Sequence, residues 1–287
     1  MVEIDAIRPR APKMRAVLSP AQVESYRREG YLAPLEALER EETADLLRRL
    51  ELIETKRGGR LAPTLNIKAH LMIPWLWDLV HDPRVVGPVM DILGPDLLCW
   101  AASFFAKAPG EPEHVPWHQD ATYWGLSEPR ALTAWIAFSP SLRENGCMRV
   151  VPRTHLGPAP HRDTFSASNM LPGREEVALD IDEAQVVNVV LQPGEMSLHD
   201  LLIVHGSRPN DGGVRRVGFA VRYIAGDLAQ TGVERVSATL ISGRDHGTFD
   251  LETEPEGEFH PAALRRHAEI TRRWMRMVAG EVEKRRR

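Results

Sequence analysis

Between Leu97 and Ile224 the chain is a succession of short apolar runs rich in Val, Phe, Trp and Ile, cut by Gly, Pro and Asn. The runs are Leu98–Lys107, Pro116–Thr122, Leu132–Ser139, Met148–Pro152, Val186–Leu191, Glu195–His199, Ile203–His205 and Val217–Ile224. Segments of this length and composition read as strands, since β-branched and aromatic side chains suit a pleated, half-buried surface. Such a series must cover its apolar faces and its edges, which predicts a sandwich or a barrel. Asn145-Gly146 marks a tight turn inside it.

Helical signals flank the strands. Ser19-Pro20 offers an N-cap and a first-turn proline. The pattern predicts a helix over Ala21–Gly30, then a short extended piece from Tyr31. A second helix is expected over Leu38–Thr55, which is rich in Glu, Leu and Arg. Pro74–Leu93 reads as two short helices broken near Pro83 and Pro88, and Pro261–Glu283 as a final basic helix. Residues 1–17 are expected to be a flexible arm and 18–287 a single domain, with its β core at about 97–225. Residues 153–185, poor in strand signals, are expected to be a lid-like insertion. The acidic, Gly-rich stretch 226–260 is expected to be loop.

The net charge of −4 gives no bulk attraction for nucleic acid, and no apolar run is long enough to span a bilayer. The N-terminus lacks the apolar centre of a secretory signal. With only Cys99 and Cys147, the composition fits a reduced compartment, so the expectation is a cytoplasmic protein. Trp274 and Met275 on the final helix could dock it on the barrel or on a second copy, giving a homodimer.

The chemistry concentrates in Trp117-His118-Gln119-Asp120. On a strand, residues two apart share a face, so His118 and Asp120 aim together. Two histidines and one carboxylate on one face of an octahedron leave positions open and are typical of non-haem Fe(II) oxygenases. The third ligand is sought in a later strand, where His199 and His205 are candidates. His205 is favoured because Gly206 allows close backbone approach and Ser207 adds a hydroxyl. His199 reads as a buried structural histidine or one near the pocket. A dicarboxylate cosubstrate needs a cation, and arginine grips a carboxylate with two parallel bonds. In Arg215–Arg222, Val217, Phe219 and Val221 form a bulky face with Arg215, which reads as solvated. Arg216, Gly218 and Ala220 form a face of small residues, with Arg222 further along, so Arg216 is the better anchor.

The stretches WHQDATYWGL, LTAWIAF, ENGCMRVVPRTH, LHDLLIVHGSRPN and RRVGFAVRYI together resemble the phytanoyl-CoA dioxygenase family over residues 19–225. The resemblance implies a double-stranded β-helix (a jelly roll, cupin-like), an α+β fold with a mainly β core and helices at both ends. It implies an Fe(II)/2-oxoglutarate-dependent dioxygenase using O₂, with His118, Asp120 and His205 as metal and catalytic residues. Arg216, Ser207, Trp135 and Ser103 would contact 2-oxoglutarate, with Lys68 and Thr133 as further candidates. Tyr123 and Trp124, which follow the metal pair, are candidates for a substrate wall. The family's turn Pro-Gly-(Ser/Thr)-His reads Pro152-Arg153-Thr154-His155 here, so His155 either faces substrate or caps the turn.

The implied reaction hydroxylates a C–H bond of a small molecule such as an amino acid, a zwitterion or a natural-product intermediate, with release of succinate and CO₂. Related halogenases carry glycine or alanine at the position of Asp120, so a carboxylate there favours hydroxylation. Desaturation, epoxidation or ring closure are alternatives on the same iron. A non-catalytic metal-binding β-barrel is the rival from another class, and a helical phosphohydrolase built on His199-Asp200 is a further one.

Overall fold

The computed structural model describes residues 16–58, 63–120, 124–164, 168–171, 175–232 and 234–286. Helix α1 (Pro20–Glu29) begins on a capping box between Ser19 and Gln22 and ends on Gly30 at φ 82°. Strand β1 (Tyr31–Glu36) follows, then α2 (Arg40–Lys56), α3 (Pro74–Val80) and α4 (Pro83–Leu93). The chain breaks before Pro83, where Asp82 caps α4, while Pro88 sits inside that helix. Of the arm expected through residue 17, positions 1–15 lie outside the described residues. The backbone N–H groups of Val17 and Leu18 are tied to the Asp91 carboxylate.

The β region runs β2 (Leu97–Lys107), β3 (Val115–His118), β4 (Ala131–Ala137), β5 (Met148–Val151), β6 (His161–Asp163), β7 (Glu175–Val177), β8 (Val187–Val189), β9 (Glu195–Asp200), β10 (Val204–Ser207) and β11 (Arg216–Ala225). It continues through β12 (Ser237–Ser242) and β13 (Asp250–Leu251) before helix α5 (Pro261–Arg286). A seven-stranded sheet has the order β1-β9-β4-β11-β2-β12-β13, and a four-stranded sheet the order β3-β10-β5-β8. This is the expected jelly roll with helices at both ends.

The core is wider than 97–225. Strand β1 pairs with β9 at one end of the large sheet, and β12 pairs with β2 near the other, within the stretch expected to be loop. The lid region carries the hairpin β6–β7. Both differences share a cause: these strands are short, and their partners lie far away in sequence.

The large sheet is apolar on both faces. Val217, Phe219, Val221 and Tyr223 pack with α2–α4 residues such as Leu50, Ile53, Leu76 and Val85. Ala220 and Trp135 face inward and pack with Met148, Val150 and Ile203 from the smaller sheet's side. Arg215, expected to be solvated, is half-buried against α2 and holds both Glu54 oxygens. Helix α5 docks on its own barrel, where Trp274, Met277 and Val278 join Trp100, Trp124 and Val236; Met275 stays exposed. No helix among the described residues is long and apolar enough to cross a membrane.

Candidate active site

Antiparallel pairing of β3 with β10 sets His205 directly opposite His118. The close approach depends on Gly206, where a Cβ would meet the carbonyl of Val115 at 2.8 Å. The two imidazoles stand 4.1 Å apart, centroid to centroid. Asp120 lies beyond the end of β3, so strand alternation does not bring it there; the chain after His118 turns its carboxylate back. Asp120 Oδ1 is 3.4 Å from His118 Nε2, and Oδ2 accepts from Thr133 Oγ1 at 3.1 Å. The ligand atoms of His118, Asp120 and His205 all fall within 4.8 Å of one another.

Hydrogen bonding sets the tautomers. His118 Nδ1 lies 3.0 Å from the carbonyls of Pro116 and His205, and His205 Nδ1 lies 3.0 Å from that of Ile203. A carbonyl only accepts, so each Nδ1 carries the proton and each Nε2 keeps its lone pair for a metal. Burial, with His118 and His199 nearby, holds His205 well below the usual imidazole range, which keeps it neutral. Burial pushes Asp120 up, but its neighbours His118, His205 and Arg222 outweigh it and hold Asp120 well below the usual carboxylate range. Two imidazoles that present Nε2 and one carboxylate fit Fe(II).

Beside the triad lies a small cavity of about 50 Å³, lined by Thr133, Trp135, Ser207, Arg216 and Arg222 among others. Arg216 is 2% exposed. One terminal nitrogen donates to the Gly146 carbonyl, and the guanidinium stands 5.4 Å from the centre of the Trp135 ring. Its Nε finds no acceptor among the described residues. Burial depresses this guanidinium to about 10. A buried cation with an unused donor fits the carboxylate of a dicarboxylate such as 2-oxoglutarate.

Lys107 sits across from Arg216 on β2 and was missed in the sequence. Its ammonium donates to Ser207 Oγ at 2.6 Å and to the Ser207 and Arg208 carbonyls, leaving the Ser207 hydroxyl proton free to donate onward. Burial and the neighbouring Arg216 push Lys107 down, against the three acceptors that favour its ammonium form. The signal was available, because Ser103, Phe105 and Lys107 share strand parity. His199 is buried at 4.7 Å from the His205 ring and lines the same cavity.

Other expectations move. Lys68 is not at the site: it is 1% exposed and donates to Glu252 and to the Ser237 carbonyl at 2.7 Å, within a buried cluster that includes His70 and Thr239. The loop that carries it turns through φ 46° and tucks the side chain under β12 instead. His155 is not at the site either; its Nε2 donates to the Arg27 carbonyl and its ring packs on Gly30, so it fixes the end of α1. Arg153 takes the left-handed turn, φ 68°, and pairs with Glu29. Ser103 Oγ accepts from Arg222 at 2.7 Å rather than being left to the cosubstrate. Tyr123 lies outside the described residues. Trp124 stacks on Trp100 at 4.5 Å and 8°, lining a second cavity of about 600 Å³ that also reaches His118, Asp120 and Arg222.

A profile of the phytanoyl-CoA dioxygenase (PhyH) family matches residues 13–218. An ectoine dioxygenase of Bordetella parapertussis is 25% identical over 225 residues, covering 69% of this chain and 72% of its own length. Among solved structures, the non-haem monooxygenase ThoJ in its apo form is 33% identical with a TM-score of 0.81, covering 92% of this chain and 99% of its own. CytC3 with Fe(II) and α-ketoglutarate is 25% identical with a TM-score of 0.61, covering 85% and 98%.

Proposed function

This chain belongs to the phytanoyl-CoA dioxygenase family, and on that premise we propose that His118, Asp120 and His205 hold its Fe(II) while Arg216, Ser207 and Trp135 hold 2-oxoglutarate. The protein is an Fe(II)/2-oxoglutarate-dependent dioxygenase that hydroxylates a small molecule and releases succinate and CO₂. The observation that carries the residue assignment is the triad's convergence within 4.8 Å beside a buried arginine with an unspent donor.

Bound iron with 2-oxoglutarate and O₂ supplies the oxidant that puts a hydroxyl in place of a hydrogen. The chain's own residues do the placing. His118 and His205 offer Nε2 because their Nδ1 protons are committed to carbonyls. Thr133 holds one Asp120 oxygen, which leaves the other to the metal. Arg216, stacked near Trp135, sets the depth at which a dicarboxylate stops, and Lys107 fixes Ser207 for a second hydrogen bond. Side chains of Trp, Phe and Leu line the approach to the reacting centre. Asp120 occupies the position a halide would need, which favours hydroxylation.

The same reading makes 18–287 one catalytic domain, since α5 packs into the barrel's own core. Free, buried Cys99 and Cys147 support a cytoplasmic enzyme. The test is anaerobic titration with Fe(II) and 2-oxoglutarate, following the visible charge-transfer band. The wild-type enzyme should develop the band and His205→Ala should not; a band undiminished in His118→Ala, Asp120→Ala and His205→Ala alike would remove the metal from this site.

A further inference from the structure

Arg215 and Arg222 both line the 600 Å³ cavity, and they differ in what they are paired with. Arg215 gives both terminal nitrogens to Glu54, at 2.8 and 2.6 Å. Arg222 donates one nitrogen to the Ser103 hydroxyl at 2.7 Å and stands 5.6 Å from the centre of the Phe105 ring. Among the described residues no carboxylate forms an ion pair with it. Asp120 is the acid whose charge it feels, and that charge is committed once Asp120 ligates iron. A guanidinium has five N–H donors, and a neutral hydroxyl uses one. A partly buried cation that opens on a cavity with donors left over is a receptor for an anion.

The distal carboxylate of the cosubstrate has Arg216 in the reading above. Arg222 stands six residues further along the same strand, its Cα roughly 20 Å away. Arg222 borders both cavities, with the metal ligands between them, whereas Arg216 borders only the small one. Elsewhere on the larger cavity Trp100 stacks on Trp124, and Trp274 leans on Trp100 at 5.9 Å and 60°. The indole N–H groups of Trp100 and Trp274 have no acceptor among the described residues. Such a wall suits a flat or cyclic body carrying acceptors.

We propose that Arg222 is the anion anchor of the substrate site, holding a carboxylate of a small molecule whose ring or flat body lies against Trp100, Trp124 and Trp274. This rests on the iron centre proposed above. With the carboxylate on Arg222, the carbons next to it come to lie beside the metal ligands.

The test titrates the anaerobic Fe(II)–2-oxoglutarate enzyme calorimetrically with phenylacetate, 2-phenylethylamine and 2-phenylethanol, an anion, a cation and a neutral molecule of similar size. Phenylacetate should bind at least about tenfold tighter than the other two, as expected for a charge-assisted hydrogen bond. Arg222→Gln should erase that preference and Arg222→Lys restore part of it. Trp274→Ala should weaken phenylacetate while the preference for the anion persists. The charge-transfer band, recorded on every variant, separates the two readings. A normal band with equal binding of all three probes overturns the anion anchor alone. An Arg222→Gln enzyme that needs about tenfold more 2-oxoglutarate to form the band makes Arg222 a cosubstrate ligand, which also overturns it. A wild-type enzyme that forms no band fails the iron reading and this one with it.

Discussion

The indole of Trp135 lies where a Cβ on Gly218 would have to stand. The small-residue face of β11 therefore makes room for a tryptophan from β4, and that tryptophan in turn backs the guanidinium of Arg216. Gly218→Ala should drive the ring from its place. Overpacking of this kind costs about 1–3 kcal/mol. The expected result is a lower melting temperature together with a raised 2-oxoglutarate requirement, read by thermal unfolding and cosubstrate titration. A fully wild-type cosubstrate titration would show that Trp135 does not position Arg216.

Asp120→Ala removes the only carboxylate of the triad. Succinate release should fall to background and the charge-transfer band should be lost. Thr133→Val, which frees the second Asp120 oxygen, should reduce turnover less than Asp120→Ala does. Undiminished succinate release in Asp120→Ala would sink the ligand assignment.

Arg216→Ala should raise the half-saturating 2-oxoglutarate concentration by about 10- to 100-fold, the range for losing a hydrogen bond to a charged group. Lys107→Met should raise it less, because it acts through Ser207. An unchanged cosubstrate demand in Arg216→Ala would move the anchor elsewhere.

Lys68→Met tests the opposite outcome. Lys68 is buried with Glu252, whose carboxyl is itself buried yet held down to about 2 by Lys68 and His70. Removing one partner of a buried pair costs about 3–5 kcal/mol. The melting temperature should drop sharply while 2-oxoglutarate affinity stays as in the wild type. A weakened affinity in folded protein would return Lys68 to the site.

Metal-free protein should lose stability in acid. Burial, partly opposed by Asp120, lowers His199 from 6.5 to about 4. Between those values the unfolded chain binds a proton that the folded chain does not, so stability falls as pH drops through the window, by on the order of 3 kcal/mol at its foot. Denaturant midpoints of His199→Phe against wild type at pH 7 and pH 4.5 would show it; equal losses in both proteins would acquit His199.

Local features were the ones legible in the sequence. The N-cap at Ser19 with Pro20 behind it, the strand runs and the two faces of Arg216–Tyr223 depend on near neighbours, and the structure has them. His118 and Asp120 do meet, though through a turn after β3 rather than strand alternation. What was hidden depends on distant pairing. Strand β12 owes its place to β2, Lys68 owes its direction to Glu252, and Lys107 draws its meaning from Ser207. At the family's turn motif the substrate reading of His155 gives way to a structural one, with Arg153 and His155 serving the end of α1.

The large cavity takes its walls from both sides of residue 218, where the match to the family profile ends. The metal ligands and Arg216 precede that point; Arg222, Trp274 and Val278 follow it. The wall proposed for the substrate is thus shared between the stretch that carries the triad and a last stretch beyond it. Descent or design can rewrite the last stretch and give the same oxidant a new target.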